Sequence, residues 1–137
     1  MAIVVPDVAE GEMLELILNQ ALSLKLFSNN VTLANTNTAS SFTEVAGGGY
    51  ASKSLTFANW IITTGSPSNG TYDSHQTWTF TGATNSPGTI YGYYITDAAG
   101  VIFYAERFPS ANVPFTPKNG SIIKIKPVIS LASSNSD

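Results

Sequence analysis

The chain has 137 residues, of which 43% are hydrophobic and only 11% are charged, and it carries a net charge of −3 and no cysteine. This length predicts a chain that folds as one domain and buries roughly two thirds of its unfolded surface. The acidic balance argues against a nucleic-acid binder, because such proteins neutralise phosphates with Lys and Arg. A chain with one histidine and no cysteine has no disulfides and none of the usual zinc sites.

The sequence shows no membrane-spanning or export signal. No apolar run approaches the length of a membrane span. The first seven residues lack the basic segment and the long apolar run of a signal peptide. We therefore expect a soluble protein made in the cytoplasm, with no membrane partner.

An amphipathic helix is predicted from Asp7 onward, within an N-terminal arm at residues 1–21. Asp7 followed by Glu10 has the spacing of an N-cap residue and its supporting glutamate. A helix of this length is marginal alone, so its apolar stripe must be buried on its own domain or on a neighbouring molecule. The stripe, at helical spacing, consists of Leu14, Ile17, Leu18, Ala21 and Leu22.

After the helix, period-two patterns and turn residues predict about eight short antiparallel strands over residues 22–132. The segment Gly65–Gly70 consists of residue types that are common in turns. Residues 133–137 are expected to be frayed. In the last strand Ile123 and Ile125 face inward, while the outward lysines with Pro127 are typical of an edge strand. The predicted strands, apart from the central hairpin, are Leu22–Phe27, Phe42–Val45, Lys53–Phe57, Trp60–Thr64, Gln76–Phe80 and Ser121–Leu131.

The central feature of the chain is a predicted β-hairpin. Its arms, Ile90–Thr96 and Val101–Phe108, are separated by Asp97-Ala98-Ala99-Gly100. This spacing suits a type I turn, in which Asp97 bonds forward to the backbone and Gly100 takes a positive φ. Both arms are apolar on both faces, so we expect both strands to lie inside a sheet and to be covered on each side. The fold predicted is all-β, a β-sandwich or jelly roll with one N-terminal helix.

No pattern in the sequence predicts catalysis or cofactor binding. Asp73-Ser74-His75 has the residue types of a catalytic triad, but on a strand Ser74 points away from the other two. Gly47-Gly48-Gly49 lacks the context of a phosphate-binding loop. Glu44, Asp73 and Glu106 are the acids that a glycosidase would have to bring together. We predict no enzyme and no catalytic, metal or cofactor site.

Two further patterns each have a structural and a functional interpretation. Trp60, Trp78 and the tyrosines are either the core of the sandwich, which is favoured, or a platform for stacking sugars. Four of nine acids lie within Asp7–Glu15 and four of six basic residues within Arg107–Lys126. These charges are either solvated faces or a head-to-tail contact between copies that would weaken in salt. The interface candidates are Asp7, Glu10, Leu14, Ile17, Leu18, Arg107, Lys124 and Lys126.

Several segments resemble a group of small virion proteins of tailed bacteriophages. The opening Val4-Val5-Pro6-Asp7-Val8, the segments Leu24–Asn30 and Thr77–Phe80, and above all Tyr91–Asp97 with Tyr104–Phe108 carry this resemblance. It implies a structural protein that decorates the head, often called a cement protein. Such proteins are small β-sandwich or jelly-roll subunits that form trimers and clamp neighbouring capsomers.

The resemblance therefore implies a homo-oligomer, with a trimer favoured, and the major capsid protein as partner. It places the protein on the outer surface of the head, after synthesis in the host cytoplasm. The alternative is a tail or receptor-binding module that recognises surface glycan.

Overall fold

The computed structural model describes residues 4–131, which contain one α-helix and nine β-strands. This confirms the all-β fold of about eight strands with a single N-terminal helix. Three single-turn 3₁₀ helices lie in the connections, at Ala39–Ser41, Phe57–Asn59 and Ser110–Asn112. The elements are α1 (Asp7–Leu18), β1 (Leu22–Phe27), β2 (Lys53–Leu55), β3 (Trp60–Thr63), β4 (Ser68–Tyr72), β5 (Gln76–Thr79), β6 (Gly92–Thr96), β7 (Ile102–Arg107), β8 (Ile122–Ile125) and β9 (Val128–Leu131).

The strands form a four-stranded sheet in the order β2-β1-β6-β7, a three-stranded sheet β3-β4-β9 and a pair β5-β8. Two compact units are present. One combines the segment up to Ala21 with Thr56–Gln76 and the segment from Ile125, and the other combines Leu22–Leu55 with Thr77–Lys124. The predicted boundary after residue 21 falls between the units, whereas the predicted domain 22–132 contributes to both. The predicted tail 133–137 lies outside the described residues.

In the first unit, helix α1 packs on the sheet β3-β4-β9 of its own chain. Leu14 and Leu18 on its apolar stripe are completely buried. A Cβ at Gly70 would overlap Leu18 Cδ1, so glycine is what allows the helix to approach β4. Leu14 and Leu18 are therefore covered within the chain and do not need a neighbour to bury them. The predicted stripe extends too far, because the helix ends at Leu18; Ala21 is exposed and Leu22 belongs to β1.

The helix begins at Asp7 as predicted, but the predicted N-cap is wrong by one residue. Pro6 occupies the N-cap position with an extended backbone, and no side chain caps the helix. Asp7 is instead the first helical residue, where its carboxylate still lies at the positive end of the helix dipole. The Pro6 ring fixes its φ before the first helical turn. Glu10 is buried.

In the second unit, β6 and β7 form the predicted hairpin. Asp97 Oδ1 accepts hydrogen bonds from the backbone N–H groups of Ala99 (3.0 Å) and Val101 (2.8 Å), and Gly100 has φ +87°. Strand β6 is internal and buried along its whole length. Strand β7 is the edge of the sheet and is half-buried, so the prediction that both strands lie inside the sheet is wrong for β7.

Three other predicted elements differ from the structure. Phe42–Val45 is not a strand, because only Glu44 makes an isolated bridge, to Phe27. The turn-like sequence Gly65–Gly70 contains the start of β4, which is held between β3 and β9. The last predicted strand is two strands in different sheets, β8 and β9, with Pro127 between them. Proline lacks the N–H that would continue the pairing, although the Pro127 carbonyl accepts the Tyr72 N–H at 2.9 Å.

The sheet β2-β1-β6-β7 has an aromatic cluster on one of its faces. The Phe27 ring meets Phe42 edge-on with centroids 5.0 Å apart, and Phe42 stacks on Tyr94 at 4.9 Å. Gly92, opposite Arg107 on β7, lies beneath the Phe27 ring. Such aromatic pairs stabilise a fold by about 0.5–1.5 kcal/mol beyond the area that they bury.

Gly92 gives a test of this packing. We expect Gly92→Ala to lower the free energy of unfolding by about 1–3 kcal/mol. The added methyl group would overlap the Glu106 carbonyl oxygen and lie 2.7 Å from Phe27 Cζ. Urea denaturation measures the change, with Gly82→Ala as control because a Cβ there meets no atom within 4 Å. Equal losses for the two variants would contradict this account.

Candidate interaction surfaces

The structure places the eight interface candidates in three different environments. Glu10, Leu14 and Leu18 are buried within the chain, so the helix face chosen from the sequence is the inner face. Asp7, Lys124 and Lys126 are exposed, and Ile17 is half-buried at the edge of that inner face. Arg107 is half-buried and engaged within its own unit.

The outer face of helix α1 was missed by the sequence reasoning. Val8 and Leu16 are 70% and 71% exposed, Met13 is 41% exposed, and Glu12 is exposed between them. Residues 8, 12 and 16 follow the i, i+4, i+8 spacing of one helix face. The sequence contained a signal for this face, because these apolar residues lie in the predicted helix but outside its apolar stripe. We call Val8, Glu12, Met13, Glu15 and Leu16 the outer helix face.

Arg107 fastens a loop to the edge strand β7. Its Nη1 donates to Asn30 Oδ1 at 2.8 Å and to the Val31 carbonyl at 2.6 Å. The guanidinium also lies over the Tyr91 ring, 5.3 Å from its centroid. A planar guanidinium with several fixed donors suits this combination of contacts. The structure thus gives Arg107 an intramolecular role where the sequence reasoning expected an interface.

Lys124 lines an apolar groove beside strand β8. The groove has a volume of about 440 Å³. Ile122 at its rim is 53% exposed. No acidic side chain of residues 4–131 lines it. We call it the β8 groove; it is formed by Phe108, Pro109, Asn112, Phe115, Ile122, Ile123 and Lys124.

Within the bounds of its three strands, the sheet β3-β4-β9 has one face without charged residues. Its register places Ile61, Thr71 and Val128 side by side, followed by a second row of Thr63, Asn69 and Ser130. The intervening Gly70 contacts the helix, so these rows lie on the opposite face. Ile61 is 59% and Val128 is 37% exposed. We call these six side chains the uncharged sheet face.

The indoles belong to the core, as the favoured interpretation of the sequence predicted. Trp60 and Trp78 are 7% and 3% exposed. Trp78 Nε1 donates to the Ala51 carbonyl at 2.7 Å, and its ring stacks with Tyr50. Trp60 meets Tyr72 edge-on with ring centroids 5.0 Å apart. Neither indole presents a face on which a sugar can stack.

Two of the acids considered for catalysis lie on opposite faces of one sheet. Tyr94 and Tyr93 are neighbours on β6, so their side chains point to opposite faces. Tyr94 pairs with Lys25, whose Nζ is 3.8 Å from Glu44, whereas Tyr93 pairs with Glu106. Glu44 and Glu106 therefore do not converge.

The other residues singled out for chemistry lie at the surface of the first unit. Asp73, Ser74 and His75 are all exposed. In the part of the chain that the structure describes, no three His, Asp or Glu side chains are placed to hold a metal ion.

Several tyrosines are held in their neutral form. Burial raises the pKa of Tyr94 to about 12, and the Glu44 carboxylate contributes to the increase. Burial also raises the pKa values of Tyr50, Tyr93 and Tyr104, each with a nearby glutamate acting in the same direction. Tyr50 is in addition hydrogen-bonded, donating to Glu44 Oε2 at 2.8 Å and accepting from the Leu26 N–H at 3.2 Å.

Comparison with known proteins identifies no relative of this chain. No protein family, curated protein or solved structure matches it. Among residues 4–131, no helix is both long and apolar enough to cross a bilayer.

We expect Arg107→Lys to lower the free energy of unfolding by about 1–2 kcal/mol, because lysine cannot reproduce the paired hydrogen bonds and the stacking. Amide hydrogen exchange around Val31 should accelerate in the same variant. Lys126→Arg is the control, because it also exchanges one basic side chain for another but at an exposed position. Unchanged exchange in the loop would contradict the fastening role.

The tyrosine pKa values predict alkaline unfolding. Groups whose pKa is raised by folding stabilise the protein fully below the unfolded value, about 10 for tyrosine, and this contribution is lost as the pH rises further. We expect the free energy of unfolding to fall between pH 10 and about 12, where Tyr94 titrates in the folded state. Tyr94→Phe should make the fall shallower. Denaturation at a series of pH values, with tyrosinate absorbance as a second signal, measures this; a constant free energy would contradict it.

Proposed function

We propose that this chain is a decoration, or cement, protein of a tailed-bacteriophage head. In this proposal it is made in the host cytoplasm and binds the major capsid protein on the outer surface of the assembled shell. It acts as a homo-oligomer, with a trimer favoured, and bridges neighbouring capsomers. Its function is adhesion, and it performs no catalysis.

The observation that carries the proposal is the uncharged sheet face. Ile61 and Val128 are exposed apolar side chains fixed on paired strands, and Thr71 lies between them in register. Burying this surface against another protein requires no ion to lose its water, which is the main cost of buried charges. A flat face on regular strands also has little conformational entropy to lose on binding.

Mass action explains how such a modest surface stabilises a large particle. A protein that binds only the assembled lattice shifts the assembly equilibrium towards the lattice. Each copy contributes a small free energy, and the contributions multiply with the number of copies. Rigid surfaces are therefore more useful for this task than a few strong chemical groups.

The resemblance to virion proteins supports the same proposal. Its two strongest motifs, Tyr91–Asp97 and Tyr104–Phe108, cover strand β6 and the second part of strand β7, which pair antiparallel. β6 is buried along its whole length, and β7 is the half-buried edge of the sheet. A resemblance carried by paired strands concerns the fold, and shared architecture is what relates structural subunits of this kind. The glycan-binding alternative has less support, because both indoles on which it relied are in the core.

We expect Ile61→Asp and Val128→Asp each to weaken binding to capsid shells at least about tenfold, because each places a charge in a surface that must lose water. Co-sedimentation with expanded shells of the encoding phage measures the affinity. Val101→Asp is the matched control, since Val101 is 54% exposed in the hairpin turn and is not one of the six side chains of this face.

Wild-type protein that fails to sediment with shells would contradict the proposal. Binding that is reduced equally by all three aspartate variants would contradict the assignment of this face.

A further inference from the structure

Two surfaces of this chain are apolar, exposed and opposite in charge. The first is the outer helix face and the second is the β8 groove. We propose that the outer helix face of one copy docks in the β8 groove of a second copy. This inference rests on the homo-oligomeric part of the proposed function and identifies the surfaces that make the contact.

The helix supplies apolar anchors and only negative charge. Val8, Met13 and Leu16 are exposed at 70%, 41% and 71%, a large apolar surface for a helix of three turns. Helix α1 contains acidic residues but no lysine or arginine. Its inner stripe is already occupied by the sheet β3-β4-β9, so only this outer face is open to a partner.

The groove supplies apolar walls and positive charge. Phe108, Phe115 and Ile122 provide its apolar lining, and Lys124 is the charged residue that lines it. Lys118, in the turn before β8, adds a second exposed cation to the same unit. The groove therefore matches the helix in hydrophobicity and opposes it in charge, which favours a correctly oriented contact between them.

The spacing of residues on the two surfaces also agrees. Residues four apart on a helix are separated by about 6 Å along its axis. Residues two apart on a strand are separated by about 6.6 Å and point to the same side. The spacing from Leu16 to Glu12 on the helix is thus close to the spacing from Ile122 to Lys124 on β8. Leu16 can therefore contact Ile122 while Glu12 forms an ion pair with Lys124.

A contact between two different surfaces is heterologous. Repeated from copy to copy, it closes into a ring if the rotation allows, as in a cyclic trimer. The acids and lysines at the contact also make the association dependent on salt.

Sedimentation velocity over a range of protein concentrations tests the inference. We expect Leu16→Gln to weaken self-association by at least about tenfold, because the Leu16 side chain would be buried by the proposed contact. Val101→Thr, also at an exposed apolar position, should leave self-association unchanged. Added salt should weaken the wild-type association.

A charge exchange separates the contact from any effect on folding. Glu12→Lys and Lys124→Glu should each weaken association by about threefold or more, and the double variant should restore it. Wild-type protein that is monomeric at every concentration overturns the inference. Association that is insensitive to these single variants, or that the double variant does not restore, also overturns it.

The shell-binding assay keeps the two proposals distinguishable. Monomeric protein that still sediments with capsid shells would overturn this contact and the homo-oligomeric part of the proposed function, and it would leave the capsid-binding part standing. Oligomers that respond to the charge exchange but do not sediment with shells would support this contact and overturn the proposed capsid binding.

Discussion

The close contact between β6 and its neighbours is the constraint on which the four-stranded sheet depends. Gly92 has the Phe27 ring on one side and the β7 backbone beside it, and no side chain fits in that space. Because of this contact, the aromatic cluster of Phe27, Phe42 and Tyr94 closes over the sheet. Protein interiors are packed as densely as crystals of small organic molecules, so one extra methyl group here would force neighbouring atoms to move. The edge strand, its turn and the loop held by Arg107 are all positioned from this contact.

The sequence predicted the parts of the fold that depend on local chemistry. The Asp97–Gly100 turn, the period-two pattern of β1 as far as Leu26 and the inward Ile123 and Ile125 are all present, whereas Phe27 is buried where the alternation predicts the other face. Each depends on residues close together in the chain, which a pattern reports directly. The all-β class follows from the sum of such patterns.

The parts that were missed depend on distant partners. Strand β4 begins in a sequence typical of turns, and it is a strand because β3 and β9 pair with both its edges. The edge position of β7 was equally invisible, since a sequence does not state how many neighbours a strand has. For the candidate surfaces, periodicity correctly separated Leu18, which is on the predicted stripe and buried, from Leu16, which is off the stripe and exposed. The error was to take the stripe as the interface, because only the packing shows that the sheet of the same chain already covers Leu14 and Leu18.

The first unit is assembled from segments far apart in the chain, which has a consequence for its biosynthesis. Helix α1 is complete at Leu18, but the strands on which it packs begin at Trp60 (β3), Ser68 (β4) and Val128 (β9). At a translation rate of about 5–20 residues per second, the apolar stripe of the nascent helix waits several seconds for its first strand. During that interval the exposed stripe can be buried by a chaperone or by the same stripe on a neighbouring nascent chain. Slow codons before residue 68 would lengthen this exposure and favour aggregation of nascent chains on crowded polysomes.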